Sequence, residues 1–479
     1  MLRRAPALAC LALILSVRIP ADAIGRATLK PVSLHNRLLL NRLAVIGEKW
    51  VEVMLAVERS QFQVVSARIE RAGGHIRRKD RLVGYIRARI PIERMLEVVS
   101  DRAVDAYQVS SLSKGSWYRD APAEANAEMF RNREVGPIIS SSRTPSRLEL
   151  PTLSVERAKD DGYTADRATG VSDWLETHPH FDGRGITIAL LESAQLEFAH
   201  PTLQTARTLD GREISKIAGV IDVVDVEDRD DTRVALGPEF RATSTWCRVG
   251  ARTYIVPRPG RYRFGLFTLP VGKGLAQHVG VLRDEVTGEI RVDTDDTGDF
   301  SQLIPVSDVN TRFEVRKLRV PYPRPYELAF VVANGKSPNV VHVYLARDRH
   351  QTMTASVAAG SRVVDGFSYG VAPSARILLV RNTSGDFQLH DFLEGFLEAA
   401  QRPEVDVICD SGGIFMVPDT SRDFVGLFMS RIMTVYDKPI VHAAGNTLLF
   451  LNDVSSLGAV ISVGSSLSPA TFSALLGGG

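Results

Sequence analysis

Cysteine is scarce in this chain: among 479 residues there are three, Cys10, Cys247 and Cys409. Cys409 ends the apolar run Val405–Ile408 and reads as a small buried residue, so no disulfide framework is expected. Net charge is nearly absent as well. With 58 basic and 56 acidic residues the formal charge is +2, which argues against a protein that grips nucleic acid or an anionic membrane by bulk charge. Long apolar runs are also missing. The N-terminal run Ala5–Val17 falls short of the ~20 residues that span a bilayer. It follows the basic start Met1-Leu2-Arg3-Arg4 and precedes the small-x-small site Ala21-Asp22-Ala23. We read residues 1–23 as a cleaved secretory signal, giving a secreted or periplasmic protein with no membrane attachment afterwards. A membrane anchor or a disordered tail is the alternative.

What is present is ordinary globular material, 44% hydrophobic and 24% charged, long enough for two to four domains. After a linker at 24–48, residues 49–110 carry a compact pattern. Trp50 to Val57 alternates like a strand. Gln61 to Gly73 has helical spacing (Phe62, Val65, Ile69) and ends at Gly73-Gly74, a stop signal. His75 to Ile90 reads as two strands around Gly84, Pro91 to Ser100 as a second helix, and Val104 to Val109 as a last strand. This β-α-β-β-α-β order predicts a ferredoxin-like α+β domain. Residues 111–155 have no period and read as a linker. From 156 onward short apolar runs (Ile186–Leu191, Ile377–Val380, Val405–Cys409, Pro439–Ala443, Val460–Val463) alternate with helical stretches, which predicts an α/β fold with a parallel sheet. Residues 205–345 interrupt it with Pro/Gly turns and β-rich runs, a mostly β insertion between 156–204 and 346–479.

Four segments then stand in order. Gly185-Ile186-Thr187-Ile188-Ala189-Leu190-Leu191-Glu192-Ser193 is followed by His200-Pro201-Thr202-Leu203. Next comes His350-Gln351-Thr352-Met353-Thr354-Ala355-Ser356-Val357-Ala358-Ala359-Gly360 with Gly370-Val371-Ala372-Pro373. Last is Ile440-Val441-His442-Ala443-Ala444-Gly445-Asn446. This order and wording resemble the subtilisin-like serine proteases, the subtilases of peptidase S8 type. The long insertion is similar to that of the tripeptidyl-peptidase II branch.

The resemblance implies a subtilisin-like catalytic domain, with residues 49–110 as an inhibitory propeptide that chaperones folding and lies across the active site. It also implies an endopeptidase acting on peptide or protein substrate by an acyl-enzyme mechanism. Glu192 takes the place of the orienting acid, with Glu197 and Asp182 as nearby alternatives. His350 takes that of the base and Asn446 that of the oxyanion donor. Ser411-Gly412-Gly413 matches the Ser-x-Gly segment that pairs with an extended peptide; a plain Gly-rich turn is the other reading.

Three departures are visible. The family's Asp-Ser/Thr-Gly is Glu192-Ser193-Ala194, and a displacement of ~1 Å from the extra methylene can cost ~100-fold in rate. Its His-Gly-Thr-His is His350-Gln351-Thr352-Met353, and Gln351 cannot match a glycine for close backbone approach. The serine in its Gly-Thr-Ser context does not occur. Ala470-Thr471-Phe472-Ser473 looks like a run-in to that segment, so the expectation is a precursor recorded without its nucleophile, and no turnover by this chain as written. A catalytically inactive relative that binds peptides or regulates is the alternative.

No cofactor is expected, with calcium as one reservation. Asp293-Thr294-Asp295-Asp296-Thr297-Gly298-Asp299 has Asp-x-Asp-x-x-Gly spacing, but Ile304 stands where a calcium loop has glutamate. An aspartate-rich turn is one reading, and weak calcium binding through Asp293, Asp295 and Asp299 the other. His178-Pro179-His180 could be a metal pair, yet it has no partnering ligand set and reads as the exposed lead-in to Gly183-Arg184-Gly185.

Overall fold

The computed structural model describes residues 36, 40, 43, 45–110, 169–224, 232–249, 252–272, 275–320, 325–361, 370–384, 388–413, 423–446, 451 and 454–466. The signal at 1–23 with Cys10, the linker at 111–155, most of the linker at 24–48 and Ala470–Ser473 lie outside the described residues. The chain divides into two compact units, Met1–Ser111 and Leu112–Gly479.

In the first unit the elements are β1 (Trp50–Val57), α1 (Phe62–Arg71), β2 (His75–Asp80), β3 (Tyr85–Pro91), α2 (Ile92–Val99) and β4 (Val104–Ser110). The sheet is antiparallel in the order β2-β3-β1-β4, the ferredoxin-like arrangement. Val51, Val53, Leu55 and Val57 share one face of β1 because strand side chains alternate. They pack with Phe62, Val65 and Ile69 of α1 and Met95, Val98 and Val99 of α2. Gly73 ends α1 at φ +77°, a left-handed conformation that glycine adopts without a Cβ penalty. On the strands, Glu52 and Arg87 form a buried pair 3.0 Å apart.

The second unit begins with α3 (Val171–Thr177) and β5 (Thr187–Glu192). A β6–β7 hairpin (Thr205–Arg207, Glu213–Ser215) leads to β8 (Ile217–Asp222). Then come β9 (Arg233–Ala235), β10 (Phe240–Ala242), β11 (Trp246–Val249), β12 (Arg252–Ile255), β13 (Gly260–Gly272), β14 (Leu275–Asp284), β15 (Ile290–Val292), β16 (Arg316–Val320), β17 (Tyr326–Asn334) and β18 (Val340–Leu345). The chain continues through α4 (Arg349–Ala359), β19 (Arg376–Arg381), α5 (Leu389–Gln401), β20 (Val407–Asp410), α6 (Phe424–Tyr436), β21 (Ile440–Ala443) and β22 (Ile461–Val463).

Six strands form one parallel sheet in the order β22-β21-β20-β5-β19-β8. Its middle strands are continuous apolar runs because helices cover both faces. This is the α/β fold with a parallel sheet that the alternating apolar runs predict. The β-rich stretch is a sandwich. Sheets β10-β13-β14-β15 and β16-β17-β18-β9 close on a common core that includes Phe267, Val281, Phe330 and Val343.

One boundary differs from the sequence reading, which placed all of 205–345 in the insertion. Ile217–Asp222 instead forms the edge strand of the parallel sheet beside β19, so the sandwich strands begin at Arg233. An edge strand needs no continuous apolar run, and Ala218-Gly219 with Asp222 hid it. Cys247 and Cys409 are free thiols. Among the described residues no helix is long and apolar enough to cross a membrane.

Candidate functional site

The carboxyl ends of neighbouring parallel strands gather the candidate residues, which is where open α/β sheets place their sites. Leu191 on β5 pairs in register with Asp410 on β20, and Asp410 with His442 on β21. One step further along are Glu192 and Ser411. Asn446 follows β21 by three residues, exposed beyond Gly445, whose φ is +104°. On the other side of β5, Arg381 is the register partner of Glu192.

His350 arrives from a different element. Asp348 caps α4 by accepting from the Gln351 N–H at 3.1 Å, which fixes the helix start. The imidazole Nδ1 lies 3.2 Å from Glu192 Oε2. The carboxylate is buried while the ring is 59% exposed. A proton on Nδ1, held by the carboxylate, leaves Nε2 as the acceptor. Of the three acids considered, Glu192 is the one that meets His350. Asp182 bonds Arg184 and Ser374 instead. Burial alone would raise its carboxyl, but those bonds outweigh it and hold it at about 2. Glu197 accepts from the Ala199 N–H.

Glu192 carries two further contacts. Its Oε1 accepts from the Ser411 hydroxyl and from Thr354 Oγ1 at 3.0 Å. Burial raises the carboxyl above the ordinary range, opposed by the bonds from Ser411, His350 and Thr354. Ser411 is thus brought to the acid. Gly412 turns back, its N–H donating to Asp410 Oδ1 at 3.0 Å. Gly413 follows in the same irregular segment.

Gln351 does more than fail to be glycine. It is fully buried, and its Oε1 accepts from the Gln195 N–H at 2.9 Å and lies 3.2 Å from the Ser193 hydroxyl, whose one proton goes to the Asp348 carboxylate. The carboxamide ties α4 to the turn after Glu192, where Ala194 is left-handed at φ +56°. Thr354 and the Asp348–Ser193 contact at 2.7 Å were not singled out from the sequence. The signal for Thr354 was available, since residues four apart share a helix face.

The aspartate loop is closed on itself. Asp293 accepts from the N–H groups of Thr297 and Gly298, Asp295 from Thr297 Oγ1, and Asp299 from Ser301. Among the described residues no group of three or more potential metal ligands is gathered. His178 stacks on Trp174 at 4.0 Å between centroids.

The sequence model of the subtilase family matches residues 183–474. Among solved structures, tripeptidyl peptidase 2 is similar at 18% identity and TM-score 0.46, over 63% of this chain and 30% of that one. The epidermin leader peptide processing serine protease of Staphylococcus aureus is similar at 10% identity and TM-score 0.40, over 88% and 70%. Fervidolysin from Fervidobacterium pennivorans, a keratinolytic enzyme related to subtilisin, is similar at 11% identity and TM-score 0.37, over 86% and 42%. The chain therefore spans less than a third of the tripeptidyl peptidase 2 chain. No curated protein matches it.

Proposed function

The chain belongs to the subtilase family, and on that premise we propose that it is the precursor of a secreted serine endopeptidase that cleaves extended peptide chains. The observation that carries this reading is the 3.2 Å approach of His350 Nδ1 to Glu192 Oε2 at the carboxyl ends of the sheet. In the proposed step His350 Nε2 takes the proton of a serine hydroxyl as that oxygen attacks the peptide carbonyl. Glu192 holds the tautomer and faces the imidazolium that forms. The Asn446 amide donates to the tetrahedral oxyanion, a contact worth ~3 kcal/mol in the transition state. Ser411-Gly412-Gly413 pairs with the substrate backbone as an added strand. Residues 49–110 act as an intramolecular propeptide, in keeping with their ferredoxin-like order. No cofactor enters the step.

No serine of the 479 residues stands in the family's Gly-Thr-Ser context, so the nucleophile is unassigned and residues 24–479 alone are expected not to hydrolyse peptide amides. A second reading, an inactive relative that binds peptides or regulates, draws support from Gln351, whose buried side chain occupies the family's glycine position. Fluorophosphonate labelling of the protein isolated from its source, followed by peptide mapping, decides between them. A modified serine in a Gly-Thr-Ser peptide supports the endopeptidase. An unlabelled protein whose mapped peptides contain no such segment, but which binds extended peptides, supports the second reading.

A further inference from the structure

A glutamate in place of an aspartate adds one rotatable bond between backbone and carboxylate. Left alone, that freedom lets the carboxylate swing away from the imidazole, and ordering it costs rotamer entropy. In this chain the freedom is removed at Oε1. The Thr354 hydroxyl lies 3.0 Å from Oε1, and the Ser411 hydroxyl donates to the same atom. The two donors come from different elements, α4 and the segment after β20, so they fix the oxygen from two directions. Oε2 is then the oxygen presented to His350.

Thr354 also lies 3.0 Å from the Gln351 carbonyl, and its one proton goes by preference to the charged acceptor. As a β-branched residue in a helix it has few rotamers. It stands four residues after His350 on one helix, so a single rigid element carries both the base and a donor that holds its acid.

We propose that Thr354 and Ser411 are positioning residues that clamp Oε1 of Glu192 and so adapt a glutamate to the orienting-acid role. This rests on the reading of Glu192 and His350 as acid and base, and the test separates the two ideas. The full chain, labelled with 15N-histidine, is examined by NMR, with His350 assigned by the signal lost in His350→Ala. The readouts are the deshielded Nδ1–H proton and the ratio of Nδ1–H to Nε2–H tautomers at a pH where the ring is neutral.

Thr354→Val keeps the shape of the side chain and removes the donor; Ser411→Ala removes the other. Each is expected to move the Nδ1–H resonance upfield and lower the tautomer ratio several-fold. Thr354→Ser is expected to restore both, and Glu192→Gln to remove the deshielded proton. If Thr354→Val and Ser411→Ala leave the resonance and ratio as in the parent while Glu192→Gln abolishes the signal, the clamp is refuted and the acid–base pair stands. If Glu192→Gln itself changes nothing, the pair is absent and both ideas fall. A structural role alone would lower the thermal midpoint of Thr354→Val without moving the tautomer ratio, and that result also overturns the clamp.

Discussion

Asp222→Asn should be among the most destabilising single changes in the second unit. Asp222 ends β8, and Arg381 ends the adjacent β19 with no exposed side-chain surface. Their closest approach is 3.1 Å, and the same carboxylate accepts from the Tyr344 hydroxyl at 3.0 Å and lies 3.4 Å from His342 Nδ1. Tyr344 and His342 sit on β18 of the sandwich, so this carboxylate joins the insertion to the parallel sheet. Asparagine keeps an acceptor for Tyr344 but removes the charge opposite a guanidinium that water cannot reach. Losing one partner of such a pair costs about 3–5 kcal/mol, which for a unit of this size lowers the melting midpoint by about 4–7 °C. Replacing both charges by Asp222→Asn with Arg381→Met should recover part of the loss, because a buried guanidinium no longer has to be balanced at that site. The readout is amide hydrogen exchange of β8, β18 and β19 peptides in increasing urea, which keeps the first unit's transition separate. A single-variant cost below about 1 kcal/mol, or a double variant as costly as the two singles added, would refute the reasoning.

Three further outcomes are expected. Lys216 is buried, its ammonium bonded to the Pro373 and Ala375 carbonyls, and burial lowers it to about 7. Above that pH the unfolded chain keeps a proton that the folded one has released. Stability therefore rises with pH between about 7 and 10.5, by at most ~1.4 kcal/mol per pH unit, and Lys216→Met should flatten the rise in melting midpoint. Glu192 has the opposite sense: burial raises its carboxyl, so stability falls as pH climbs from the ordinary carboxylate range through the raised value. Glu192→Gln should thus melt higher than the parent at pH 7 and lose that advantage at acidic pH, and a constant difference across the range would contradict the assignment. Asp348→Ala removes the cap of α4 and the Ser193 contact. It should cost ~1–2 kcal/mol in chemical denaturation, and no change would show that the helix start is held elsewhere.

The order of segments around Glu192, His350 and Asn446 was legible in the chain, as were the ferredoxin-like order of the first unit and most strands of the parallel sheet. These rest on local patterns: a period of two or 3.6, a glycine after a helix, a small-residue run after a histidine. Each is set by neighbours a few residues away. Three things were decided only by the tertiary structure. Ile217–Asp222 joined the sheet as its edge, because the strand order, not its own composition, gives it a partner in β19. Gln351, read as a poor substitute for glycine, turned inward and bonded the turn after Glu192. The carboxylate of Glu192 met hydroxyls 162 and 219 residues away. Periodicity tells each strand and helix which face to bury. It carries no information on which carboxyl end lies beside which, and that adjacency brings Ser411, Thr354 and His350 to one carboxylate.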